Sequence, residues 1–339
     1  MQKTQSIQRV TLCNERGDSA VILTLGGILC ELNIVTSDRK TINIVLGFSQ
    51  LARYRDDSEY HGAIVGRYAN RIANGRFSIE NTVYTLEPNE GNHLLHGGRE
   101  GFHRRIWTIR EQTHNSCTLQ LHSADRDQGF PGNLQVLLRY TLNNNRALDI
   151  NWQATTDKDT PVGLTSHGYF NLAGQGDIYD HFLRIPIAHY TPVNDDCIPT
   201  GEISKVQDTC MDLRHFSSLR AVLSCNDPML APFDGIDHNW ARGSSGEMLL
   251  SAELLCPATN LLLQVRSTLP GIQCYTGNYL ESQGEHGRHS GVCLEPQYYP
   301  NSPNEPGFPS PLLKAGETVR HCIQYRVAEV DAAAYLVDL

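Results

Sequence analysis

The chain has no apolar run long enough to cross a bilayer. Its most continuous stretch, VILTLGGILC at 21–30, is short and broken by two glycines. No apolar segment follows the few positive charges of MQKTQSIQRVTLCNERGDS, so no secretory signal is expected and the sequence reads as a soluble, cytoplasmic protein with no membrane partner. Basic blocks are missing too. With a formal net charge of -9 and scattered arginines and lysines, the chain offers nothing that would track a phosphate backbone, which excludes nucleic acid as a partner. Ten cysteines are present, but no two form a C-x-x-C pair. They read as free, small apolar residues in a reducing compartment, and their spacing gives neither a disulfide framework nor a zinc cluster. Composition shifts, flexible linkers and repeats of fixed period are absent, so one domain over 1–339 is expected.

What is present is a globular composition, with 40% hydrophobic and 19% charged residues and 28 glycines and 16 prolines spread along the chain. Periodicity sets the fold class. In ALDINWQAT (147–155), Leu148, Ile150, Trp152 and Ala154 alternate with Asp149, Asn151 and Gln153, the signature of a strand with one wet face. CTLQLHS (117–123) and TVRHCIQYRV (318–327) repeat it. LQVLLRYTL (134–142), MLLSAELL (248–255) and NLLLQVRSTL (260–269) are more continuously apolar, as strands covered on both faces would be. Turn residues at 80–82, 143–145 and 243–246 join such runs into antiparallel meanders. Helical spacing is confined to 49–57 and a segment near 217–224. The fold class is therefore all-β, a large antiparallel β-sandwich with few short helices. Two irregular segments, 281–291 and 298–311, flank Glu295 and are long enough to be functional loops.

Several polar constellations interrupt these patterns. GRYANRIANGRF (66–77) sets Asn70 beside Arg71, where an amide and a guanidinium fork could converge on hydroxyls, although an arginine stapling two loops is the commoner explanation. GNHLLHGG (91–98) carries His93 and His96, the second followed by glycines that would let the loop approach a ligand. TSHGYFNL (165–172) places His167 ahead of Tyr169, Phe170 and Leu172; alone, it would pass for a core histidine bonded to backbone. DGIDHNW (234–240) offers Asp234 and Asp237, of which Asp237 is the choice for an inward carboxylate. CLEPQYYPN (293–301) puts Glu295 where an apolar strand runs out, and a carboxylate entering an aromatic, partly desolvated pocket should have a raised pKa.

Taken in order, GRYANRIANGRF, NHLLHGG, TSHGYFNL, GIDHNW and LEPQYYPNSPN resemble the aldose 1-epimerases, the galactose mutarotases, and the likeness extends to DQGFPGNL (127–134) and LPGIQCYTGNYL (269–280). The resemblance implies a galactose mutarotase-like supersandwich with an open cleft. It also implies a cofactor-free, metal-free enzyme that interconverts the α and β anomers of free hexoses such as galactose and glucose, acting as a monomer or homodimer. By motif, His167 looks like the general acid and Glu295 the general base. Arg71, His96 and Asp237 look like holders of sugar hydroxyls, with Asn70 and Gln297 beside them. Where the family usually has asparagine, this chain has Ser166.

The chemistry asks for such a pair. Anomers exchange through the open-chain aldehyde, so O1 must lose a proton while the ring oxygen O5 gains one; closure on the other aldehyde face reverses both transfers. An ionised Glu295 with a cationic His167 would meet that need between the two pKa values, and Asp237 is expected to favour the imidazolium. Three other activities fit parts of the pattern. A hexose 6-phosphate epimerase would need cations in the cleft, for which Arg53, Arg55 and Arg67 are candidates. A binding module would lack the acid or the base. A glycosidase would use Asp237 and Glu295 as its carboxylate pair.

Overall fold

A computed structural model describes residues 6–244, 246–281 and 285–337. Ser245 of the expected 243–246 turn, and residues 282–284 of the expected 281–291 loop, lie outside the described residues. Antiparallel strands dominate. A nine-stranded sheet runs in the order Thr108–Gln112, Ser116–Ser123, Leu134–Leu142, Ala147–Thr156, Thr318–Glu329, Leu261–Ser267, Leu249–Cys256, Phe182–Arg184 and Ser217–Ser218. Its second to fourth strands are the expected meander, joined by register pairs such as Leu138 with Trp152, and Thr108–Gln112, which was not expected, extends it by one strand. The strand Thr318–Glu329 then returns from far along the chain to close the middle, pairing Ile150 with Ile323.

Alternation explains the sheet's inward face. Leu134, Val136, Leu138, Tyr140 and Leu142 are buried, and Gln135 and Arg139 between them are exposed. The expectation that 134–142 would be covered on both faces is therefore wrong: its extra apolar residue, Leu137, lies half-covered on the outer side. For Leu249–Cys256 and Leu261–Ser267 the same expectation holds over most of their length. Leu255 and Leu262, register partners on the outer face, pack with Phe216 and with Ala332 of the C-terminal helix Ala332–Tyr335. Helices are few and short, including Arg53–Asp56 and Leu219–Leu223 inside the two expected segments.

A six-stranded sheet, in the order Tyr169–Phe170, Val292–Gln297, Gly271–Tyr275, Asp237–Ala241, His189–Thr191 and Ser204–Lys205, packs over the first. Its side chains divide by parity. Trp240, Ile272, Cys274, Val292 and Leu294 point into a hydrophobic cluster that also takes in Leu138, Ile150 and Tyr325 of the large sheet. The residues between them, Asp237, Gln273, Tyr275 and Glu295, point the other way and line a cleft. A third sheet of four strands, from Arg9–Cys13 to Thr41–Asn43, joins the same cluster through Val10, Leu12, Ile22 and Leu32. None of the ten cysteines is in a disulfide. No described helix is long and apolar enough to cross a membrane.

Candidate active site

The cleft holds about 500 Å³. Its floor is the polar face of the six-stranded sheet, where register aligns Glu295 with Gln273 on the neighbouring strand and Asp237 with Tyr275. Glu295 lies in the middle of its strand, not at the end as expected; Pro296 continues the pairing opposite Ile272. It is 2% exposed, and its Oε2 has no hydrogen-bond partner. Burial raises its pKa well above the carboxylate range, Asp237 pushes the same way, and Arg71 opposes them.

His167 occupies a break between two short strands. Thr165–Ser166 pairs with Ile64–Val65, and Tyr169–Phe170 pairs with Val292 and Cys293. At the break its N–H donates to Ala63 O (2.9 Å) and its O accepts from Gly62 N–H (2.9 Å), so the backbone is fixed although the residue is not in a strand. The ring presents Nε2 to Glu295 Oε1 at 3.9 Å, and its Nδ1 lies 3.5 Å from Cys293 Sγ. Burial lowers its pKa to about 3. Asp237 was expected to hold this ring as imidazolium; instead it acts on Glu295, and desolvation leaves the His167 ring neutral.

Arg71 closes one side. Its Nε and Nη2 donate to the two carboxylate oxygens of Glu90 (2.6 and 2.7 Å), and Nη1 lies 3.9 Å from Asp237 Oδ2. Burial would lower the guanidinium pKa, but Asp237 and Glu90 more than offset it and raise it. Asp237 in turn accepts from Gln273 Nε2 (2.6 Å), and burial raises its own pKa. His96 is oriented by the backbone: Asn70 N–H donates to its Nδ1 (3.2 Å). Burial keeps that ring neutral, so its proton sits on Nε2 and the ring is a donor. Tyr60 packs edge-on against His96, with ring centroids 4.6 Å apart. Tyr60, Asn70, His96 and Cys197, all lining the cleft, hold left-handed φ angles of 51 to 61°. Such conformations cost of order 1 kcal/mol or more each and concentrate where function fixes the backbone.

A sequence profile of the aldose 1-epimerase family matches residues 8–326. The chain is 40% identical over 316 residues to a galactose mutarotase of Mus musculus, covering 91% of this chain and 90% of that one. It is 34% identical over 331 residues to an aldose 1-epimerase of Escherichia coli K12, covering 95% of each. The chain belongs to the aldose 1-epimerase family. Among solved structures, a GalM/aldose epimerase homologue from C. elegans superposes with a TM-score of 0.89 at 28% identity, covering 96% of this chain and all of that one. A galactose 1-epimerase from Lactobacillus acidophilus, with a TM-score of 0.85 and 24% identity over 97% of this chain and 96% of that one, shares the fold.

Within this epimerase fold the cleft gathers Asn70, Arg71, His96, His167, Asp237 and Glu295. Gln297 is on the same strand face as Glu295 but fully buried, does not line the cleft, and has no partner for either amide atom. Asp234, the alternative to Asp237, faces Arg288 at 3.3 Å outside the cleft. Of the glycines after His96, Gly97 is required by the backbone: a Cβ there would stand 1.9 Å from Gly66 O. Ser166 is fully buried with its Oγ unpartnered. The sequence reading missed Glu90, Gln273, Tyr60 and Cys293. One signal was available for Gln273: a polar residue alternating with buried apolar ones in GIQCY marks a strand whose second face is a site. His167, Cys293 and Glu295 also bring one ligand atom each within 4.8 Å of one another, a grouping that cysteine spacing did not suggest. Burial pushes the Cys293 thiol well up, so a cation there would first have to displace its proton.

Proposed function

We propose that the protein is a mutarotase, interconverting the α and β anomers of free hexoses such as galactose and glucose by ring opening and reclosure. What supports the reading is one contact above all: a buried imidazole nitrogen 3.9 Å from a buried carboxylate that has an oxygen without a partner. An acid and a base that share one small space match a reaction in which one oxygen gives a proton as its neighbour takes one.

Burial disfavours both charges, so imidazole with carboxylic acid is the form it favours for the pair. Imidazolium with carboxylate contains the same protons, so passing from one form to the other needs no exchange with solvent. Hydroxyl donors from a bound sugar, with the Arg71 guanidinium behind them, favour the carboxylate and move the proton to His167. Glu295 then takes the O1 proton while His167 Nε2 gives one to O5, and the C1–O5 bond opens. Rotation about C1–C2 and closure return both protons. His96, Arg71, Asp237 and Asn70 hold the remaining hydroxyls so that C1 stays between the two groups.

A phosphorylated substrate fits poorly. Arg53 pairs with Glu285. Arg67 is buried and spends its guanidinium on Pro131 O, Gly132 O and Ser123 Oγ. Neither these two nor Arg55 lines the cleft. Polarimetry on freshly dissolved α-D-galactose and α-D-glucose tests the proposal, with Glu295→Gln as control. The wild type should hasten the approach to an unchanged final rotation, and the variant should not; no acceleration on either sugar would reject the reading.

A further inference from the structure

Among the described residues, five acidic side chains besides Glu295 line the cleft, those of Glu59, Glu90, Asp195, Asp196 and Asp237, against the guanidinium of Arg71 and the ring of His93, which faces Asp196 at 3.7 Å. That guanidinium is already engaged by Glu90 and faces Asp237. The buried rings of His96 and His167 are neutral and add no positive charge. A second observation points the same way. Two buried side-chain atoms of the cleft without partners are Gln273 Oε1, which can only accept, and Glu295 Oε2, which accepts once the carboxyl is ionised. The cleft therefore asks its ligand for donors and for positive charge.

Position on the sugar follows from the sheet. The pose taken has C1 between His167 and Glu295, O5 turned to His167, and C2 directed across the sheet past Glu295. On that side the neighbouring strands present Gln273 and then Asp237. A C2 substituent thus meets an orphan amide oxygen and a carboxylate. An ammonium group gives three donors and no acceptor, which matches that pair better than a hydroxyl does.

We propose that the cleft also takes 2-amino-2-deoxyaldoses in their ammonium form through the same anomer exchange, and excludes aldoses bearing a carboxylate or phosphate. This rests on the mutarotase reading. The rim residues Asp195 and Asp196 are exposed, so their contribution is long-range attraction that salt screens. Gln273 and Asp237 act at contact distance and are screened less.

The test is polarimetry on α-anomers of D-galactosamine hydrochloride, N-acetyl-D-galactosamine, D-galacturonate and D-galactose, at low and physiological salt. D-galactosamine should be accelerated with kcat/KM within about tenfold of D-galactose and above the neutral N-acetyl sugar. Its kcat/KM should fall severalfold as salt rises while that of D-galactose stays level. D-galacturonate should show little or no acceleration. The double variant Asp195→Asn/Asp196→Asn should lower kcat/KM for D-galactosamine about threefold or more at low salt and leave D-galactose unchanged. Acceleration of D-galactose without D-galactosamine, equal turnover of D-galacturonate, or a rim variant that moves both neutral and cationic sugars alike would overturn the charge selection. Failure on D-galactose itself would instead reject the mutarotase reading on which it stands.

Discussion

At the scale of single residues the site is governed by desolvation. Burial lowers the pKa of His167 and raises that of Glu295, so the order expected from their ordinary values is reversed. In the proposed mechanism, no base remains below the His167 pKa of about 3, where both groups are protonated, and no acid remains above the raised Glu295 pKa, where both are deprotonated. The pH profile of kcat/KM should therefore lack the rising limb near 6.5 that an ordinary histidine would give, and such a limb would contradict the neutral imidazole. His167→Asn and Glu295→Gln should each lower kcat by about 10²–10⁴-fold with the circular dichroism spectrum unchanged. Glu90→Gln frees one side of the Arg71 fork, so it should raise KM about tenfold with a smaller change in kcat, and Glu90→Asp should restore part of the loss. These residues differ in how visible they were. His167, Glu295, Arg71, His96 and Asp237 stand in motifs that interrupt apolar patterns, whereas Glu90 is bonded to a partner 19 positions away, a distance that periodicity does not encode.

At the scale of elements, long strands were legible and short ones were not. Leu134–Leu142 matches its expected bounds, because a nine-residue, mostly apolar run is long enough to mark a strand, although Leu137 hid the alternation of its two faces. Thr165–Ser166, Tyr169–Phe170 and Ile64–Val65 have two residues each, too few to show one, although they place His167. The loop behind His96 shows what this placement costs. Gly97 sits at φ +84° with Gly66 O where a Cβ would go. Gly97→Ala should destabilise by roughly 1–3 kcal/mol and displace His96, seen as a lower urea midpoint together with reduced mutarotation. In the strand of Glu295, Leu294 is fully buried in the main hydrophobic cluster. Leu294→Ala should cost about 2–5 kcal/mol in urea unfolding.

At the scale of the whole molecule, buried histidines set the acid limit. His181 and His238 have pKa values near 4 and His167 about 3, with burial as the main cause of each. Their folded values lie below the unfolded one, so the stability they contribute is complete above about pH 6.5 and is lost as pH falls through the folded values. Glu295 and Asp237 act oppositely, their raised values favouring the fold at low pH and opposing it as pH rises. Tm should fall from pH 7 to pH 4, and His181→Asn should make that slope shallower; an unchanged slope would mean that other groups dominate.

The cleft draws its floor and walls from residues 58 to 295, and the central strand of the large sheet, Thr318–Glu329, comes later still. Pairing that strand with Ala147–Thr156 joins positions more than 160 residues apart. During synthesis, then, a chain that has already built its meander is still without the proposed base, and most of its translation is over before Glu295 leaves the ribosome. Catalysis should consequently appear late and all at once in refolding, making the return of mutarotation a reporter of long-range closure rather than of the local hairpins that precede it.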